Sequence, residues 1–592
     1  MIHRARRGVR AGAAALGLAA ALAACAPALS YPAYPSPQSL PPGSPLTSRT
    51  LDQGDAWLRH YLMTGEYDEA LKMLDRSSKL VTRDRLLRQL QSGIVLHYAG
   101  RYEESNRAFD AAEREADQRY TKSMREAAGS LLLNDKVLAY VPSPAEMAVI
   151  PYYRMLNYLA LGQMDGGVVE ARKAGAYVAR IERESGRKCS GNAFVQYLSG
   201  LVYDAAGERN DALVSLRQAE RSFASCSQAG SAAPPEYFGS DLLRLASLLG
   251  VEEVMDAAAS RYGSAPEPDP TTAGDLVVLI ENGFVAHRAH RDLYVPILPG
   301  EMEGLESGEV DEIAAVAARI TSRLISNFTE QTTWGTTLDS SPFVQASQMA
   351  EGAYVLKLAW PVARLEANRA ASFRVVVNDQ VVEAPPVEDV SSLFARELES
   401  QRSHIVARMV ARGLVKYVVA NEAERKAEKK GGEVLGFLTG IFANAATNAL
   451  EQADTRSWSL LPDQISMARL RLPPGEHDVR IDVLGSGGMV VRTLDLGRVT
   501  VRPGERVFRS RRVWGPEVGD RDRLTRLQIG LQADAPQRRS ARSRWEASGT
   551  SPSGSAPGGS SGCRRSRRSR RPSCSRRGVA PTRAARRCLP SF

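Results

Sequence analysis

Two small constellations in this chain have residue types and spacing that could do chemistry. Ser185-Gly186-Arg187-Lys188 fits S-x-x-K, the pattern that places a serine nucleophile one helical turn before a lysine. Its companion K-T-G is absent and the four residues fall in an expected inter-helix loop, so no catalytic role is assigned to them. His287 and His290, three apart with Asp292 nearby, carry donors that a metal accepts, yet no cysteine or further histidine lies close in sequence. A solvated hairpin loop is the expectation there. His60 and His97 fall within helical patterns and read as flank or core residues. No H-E-x-x-H and no P-loop occurs. The sequence names no catalytic residue, metal ligand or cofactor, and a non-enzymatic protein is expected.

Cysteine chemistry is more informative. Arg4, Arg6, Arg7 and Arg10 precede the apolar stretch 11–21, and Leu22-Ala23-Ala24-Cys25 follows. This resembles the bacterial lipobox, which implies lipidation of Cys25 and a mature chain that begins there. Ala26 is not the Asp that retains such lipoproteins at the inner membrane, so an outer-membrane location facing the periplasm is expected. Residues 26–50 contain seven prolines, a composition that favours extended polyproline II at about 3.1 Å per residue and reads as a tether of up to roughly 75 Å. In an oxidising compartment Cys189 and Cys226, placed at the open ends of one predicted helix pair, are expected to form a disulfide.

The elements that position these residues begin with a repeat over 51–264. Gly65, Gly100, Gly162 and Gly207 each end an apolar helical run; a bulky residue follows two later and a small one (Ala70, Ser105, Gly167, Ala212) five later. Glycine tolerates the left-handed backbone of a helix end, and the small residue lets the next helix approach. This predicts a tetratricopeptide-like solenoid of paired helices that must stack to bury their apolar sides. The first interval is 35 residues; the later ones, 62 and 45, imply insertions or a degenerate copy around 131–151, and Gly250 opens a worn fifth unit.

After the Pro-rich stretch 264–272 the pattern becomes β-rich over 273–515. Asp275 to Glu281 reads as a buried strand, Asn282-Gly283 as a hairpin turn leading into a strand through Phe284 and Val285. Further strands are expected at 353–358, 373–377, 467–472, 477–483, 489–494, 497–501 and 506–513, giving a sandwich or curved antiparallel sheet. A helical hairpin is inserted at 391–452, and its uncharged stretch Val434 to Leu450 is a core or partner helix, being short for a membrane span. The fold class is therefore α+β, ending in a disordered Arg-rich tail within 516–592 whose abrupt onset also suits a shifted reading frame. Removing the +14 of residues 537–592 and the +4 of the first 25 from the formal +10 leaves −8 for the body, which points away from nucleic acid.

Asn134-Asp135, Asn157 to Gly162, Val169-Glu170-Ala171-Arg172, Glu281-Asn282-Gly283, and Asp454 to Trp458 followed by Leu461-Pro462 resemble a family of bacterial lipoproteins with tetratricopeptide-like repeats. Members of that family are often encoded beside lipoproteins resembling activators of penicillin-binding proteins, which implies a cell-envelope role linked to peptidoglycan synthesis. The expected function is a lipid-anchored scaffold whose repeats offer a concave surface to a protein partner. An envelope enzyme or glycan-binding protein with its site in the β-rich region, and a lipid-contacting assembly built through Val434 to Leu450, are the alternatives.

Overall fold

The computed structural model describes residues 51–126, 138–185, 193–226, 233–263, 273–307, 309–327, 355–365, 370–431 and 452–514. Cys25, the tether, Cys189 and hence its pairing with Cys226, residues 186–188, Val434 to Leu450 and the tail lie outside them.

Five helix pairs run in order: α1 (Gln53–Thr64) with α2 (Tyr67–Leu80), α3 (Arg85–Tyr98) with α4 (Tyr102–Glu126), α5 (Pro144–Ala160) with α6 (Met164–Ser185), α7 (Ala193–Ala205) with α8 (Arg209–Cys226), and α9 (Phe238–Leu249) with α10 (Glu252–Tyr262). One turn joins every pair. Gly65, Gly100, Gly162, Gly207 and Gly250 have φ of 78, 73, 70, 82 and 66°, and the next residue's N–H donates to the carbonyl five positions back, as from Arg101 to Leu96 at 2.9 Å. That bond satisfies an orphan carbonyl that the helix end would otherwise bury. The wide Gly100–Gly162 interval comes from the 25 residues of α4 and the segment that follows it. Pro151, expected in a degenerate copy, lies inside α5. Each helix packs on its sequence neighbours, and the first helices carry small residues at the closest approach: an added Cβ at Gly93 would stand 2.4 Å from the Phe109 ring.

The first helices are not amphipathic in the usual way. Twelve of 17 residues in α5 and 11 of 13 in α7 are buried, so each has neighbours on both sides. One side is the second-helix row and the other is a four-stranded sheet of order β10-β1-β7-β6, comprising β10 (Arg506–Val513), β1 (Gly274–Asn282), β7 (Gln464–Leu472) and β6 (Pro386–Asp389). β1 is antiparallel to β7 and parallel to β10. Val277 and Leu279 of β1 face the helices, whereas Leu276, Val278 and Ile280 face a second sheet. Burial on both faces is why this strand reads as an unbroken apolar run. The second sheet, β5-β4-β8-β9, uses β4 (Ser372–Val377), β5 (Gln380–Glu383), β8 (Gly475–Leu484) and β9 (Val490–Val501), all antiparallel. Helices, central sheet and outer sheet thus form three layers.

A ribbon of β2 (His287–Pro296) and β3 (Val355–Arg364) packs its Leu293, Val295, Leu358 and Trp360 with α11 (Pro299–Glu306), α12 (Val310–Asn327) and α14 (Arg402–Gly431), which follows α13 (Val390–Ser400).

Two strand expectations need correction. Asn282-Gly283 makes no hairpin: β1 pairs with β7 and β10, and residues 284–286 belong to no strand. Gly283 does adopt φ 60°, but its N–H continues the ladder to Val513 O at 2.9 Å, and Val285 N–H donates to Leu461 O. Local turn chemistry yields here to long-range pairing. The strands expected at 489–494 and 497–501 are one, β9, bulged where Gly497 takes φ 77° and the register shifts opposite Val479 and Arg480.

Two glycines separate backbone strain from crowding. Gly162→Ala meets no atom within 4 Å and should cost roughly 1 kcal/mol through its positive φ alone. Gly93→Ala forces a buried ring to move and should cost more, about 1–3 kcal/mol. Urea unfolding of the two variants checks the order.

Candidate functional site: the helix–sheet seam

The first-helix side of the repeat array is covered by this chain's own strands. Residues 452–463 run into the same seam, where Trp458, Leu460 and Leu461 join Val277, Leu279, Met467 and Phe508 in one core with the helices. Trp458 stands 5.9 Å from Phe109 and 6.4 Å from Tyr153, ring centre to ring centre.

Each first helix sends at least one polar group across. From α1, the Arg59 guanidinium donates to Ser459 O at 2.8 Å and Val285 O at 3.0 Å. From α3, Tyr98 donates to Glu281 at 2.9 Å and accepts from Arg512 at 2.8 Å. From α5, Tyr152 donates to the other Glu281 oxygen at 3.1 Å, and Glu146 accepts from Trp458 N–H at 3.0 Å and Tyr140 at 2.6 Å. From α7, Asp204 accepts from Arg506 at 2.7 Å. From α9, Asp241 accepts from Arg469 at 2.7 Å, and Tyr197 of α7 holds its other oxygen.

Asp275, at the start of β1, closes this last cluster by taking Arg469 at 2.7 Å and Arg506 at 3.1 Å. Burial would raise its carboxyl, but the two guanidinium groups outweigh that and hold it below the usual aspartate range. Tyr98, Tyr152 and Tyr153 are pushed well above the usual phenol range, first by burial and then by the nearby Glu281 carboxylate, so they remain donors. Arg512 also lies 4.7 Å from the Trp514 ring and 5.2 Å from Phe284.

Only some of the pieces that carry the family resemblance meet here, and Asn134-Asp135 lies outside the described residues. Glu281, Asn282, Arg456 and Trp458 all bond across the seam or along it: Arg456 pairs with Asp84 at 2.8 Å and Asp454 at 2.8 Å, and Asn282 donates to Ala370 O. Asn157 lies among the helices and bonds His97, Ser105 and Asn106. Glu170 pairs with Arg154 at 3.0 Å. Their arrangement secures architecture.

The residues considered for chemistry are not brought together. His287 and His290 are an odd number apart on β2 and point to opposite faces; the first is buried, while His290 bonds Asp292 at 2.8 Å. They sit on a strand and not in a loop. Among the described residues no group of three or more His, Cys, Asp or Glu could hold a metal. Ser185 ends α6. The four repeat glycines occupy the turns within the helix pairs.

Two crevices open on the seam, each with about 20 Å³ of free volume, the room of a water molecule. One is lined by Ser143, Glu146, His287, Arg288 and Ser457, whose buried hydroxyl has no partner among the described residues. The other is apolar, with Val149, Tyr152, Phe194, Leu393 and Ile465 around Glu388. Burial drives the Glu388 carboxyl up to about 8, with Arg396 opposing and Asp389 adding to the rise. Sequence reasoning missed Arg469, Arg506, Arg512 and Glu388. Alternating arginines on a strand, as in Arg469-Leu470-Arg471, also suit a solvent-facing side, so the sequence carried no distinguishing signal for them.

No family model matches the chain, and no curated protein does. Among solved structures, the crystal structure of BtubC (BKLC) from P. vanneervenii is similar over 36% of this chain and 82% of its own, at 14% identity and a TM-score of 0.25, too low to carry an argument.

Removing Asp275 leaves two buried guanidinium groups short of a counter-charge, so Asp275→Asn should cost roughly 3–5 kcal/mol in urea unfolding. Glu388 works with the opposite sign. Its folded-state pKa lies above its unfolded value, so the folded chain holds the extra proton and stability falls as pH rises from about 4.5 through about 8. Glu388→Gln should flatten that slope, worth up to roughly 3–5 kcal/mol, in unfolding midpoints compared at the two ends of the window.

Proposed function

We propose that this chain is a non-enzymatic, lipid-anchored scaffold of the bacterial cell envelope that binds a protein partner through its helical repeats. Cys25 carries the lipid at the outer membrane, the Pro-rich segment spaces the body from it on the periplasmic side, and the resemblance implies a place beside peptidoglycan synthesis.

The observation that carries the reading is the sealed inner side of the repeat. Because the first helices are covered by the central sheet, the partner surface is the second-helix row. There Val169 of α6 and Val214 of α8 each stand seven residues after a turn glycine and are 47% and 66% exposed. Equivalent positions on neighbouring repeats place them on one line along the array. Two large apolar side chains at equivalent places on a solvent face suit recognition of a partner.

Photo-crosslinkers at 169 and 214 in the native envelope should capture one stoichiometric protein, and Val169→Asp with Val214→Asp should abolish its co-purification without moving the melting temperature. Activity of the purified chain on peptidoglycan would overturn the scaffold reading. Mass analysis of the amino-terminal peptide should show an acylated Cys25.

A further inference from the structure

The β8–β9 hairpin ends in Gly485-Ser486-Gly487-Gly488, closed by Gly485 N–H donating to Met489 O at 3.0 Å and Gly488 N–H to Gly485 O at 2.9 Å. Met489, Val490 and Val491 follow and are 74, 48 and 40% exposed. Elsewhere among the described residues the large exposed apolar side chains stand singly in sequence. The interior of the sandwich takes Leu494, Val499 and Val501 from the same strand, so the tip residues serve no core. No acidic residue lies between Asp482 and Asp495, and the single charge in that stretch is the exposed Arg492.

An apolar knob at a hairpin tip needs a partner that yields around it. A bilayer interface does, and a cation beside the knob reaches phosphate headgroups while the apolar atoms sink. Pairing of β9 with a second copy is disfavoured, because the strand is bulged both at Gly497 and between its partners Val483 and Leu484, which interrupts the ladder an added strand requires.

We propose that the β8–β9 hairpin tip is a lipid-contacting site, with Met489, Val490 and Val491 entering the apolar margin of a bilayer and Arg492 on its phosphate headgroups. The proposal rests on the anchored reading for its setting: a tethered body with one lipid point is free to turn, and a second contact fixes which side faces the membrane.

The test is a benzophenone side chain placed at Val490 of the full chain and photolysed in the native envelope. A control chain carries it at Val381, which is 56% exposed on the β4–β5 hairpin at the opposite end of the same sheet. The expected result is an adduct of phospholipid mass at 490, in yield at least about tenfold above 381, as burial of one valine-sized side chain would give. A protein adduct at 490, a second copy of this chain included, or a lipid yield no higher than at 381 overturns the proposal. The acyl state of Cys25 is read by mass in the same sample. Acylated Cys25 without a lipid adduct at 490 sinks the tip alone. Unacylated Cys25 with the adduct sinks the anchor and leaves the tip standing, and absence of both sinks both.

Discussion

A charge buried between two layers must be answered by a counter-charge or hydrogen-bond donors within reach, and the helix–sheet seam is arranged around that requirement. Strand β1 is covered on both faces, yet it carries Asp275 second from its start and Glu281 second from its end. Neither carboxylate reaches solvent, and each is answered by groups from elsewhere: Arg469 and Arg506 for the first, two tyrosines for the second. Those arginines in turn need Asp204 and Asp241 from the helices. Leaving any member unpaired costs several kcal/mol, so the network is stable when complete and strongly unfavourable in part.

This makes the helical array dependent on the sheet. Tetratricopeptide-type arrays owe their stability to nearest-neighbour packing and leave one side open. Here α5 and α7 are apolar almost all round and could not face water. The array, the central sheet and the loop bearing Trp458 therefore share one core. The second-helix row and the outer sheet stay exposed, and the outward face of that sheet is a mosaic of charges such as Arg498 with Glu476 and Asp478.

Much of the element pattern was legible. A turn glycine marks all five helix pairs, and a small residue follows it five later in four of them, a combination that permits both a left-handed helix end and close approach of the next helix. Strands β4, β7, β8 and β10 follow from alternation or short apolar runs bounded by Gly and Pro. The hairpin at Asn282-Gly283 misled because turn preference is a local quantity, whereas the partners of β1 are about 190 residues away at β7 and about 230 away at β10. Gly497 broke one strand into two on paper because a bulge and a turn ask the same of the backbone. The seam was the least legible part. Arg469 and Arg506 look like ordinary solvent-facing residues until a helix layer lies over them, and nothing in a strand's own sequence states that its second face will be covered.

The sequence by itself determined the helix pairs, the α+β class and the places where chains of either type stop, since capping, alternation and backbone freedom act within a few residues. Only the tertiary structure decided that the array closes on its own sheet. Whether an apolar helix face meets a partner or its own chain depends on which buried charges find each other across hundreds of residues, and that is a property of the assembled layers.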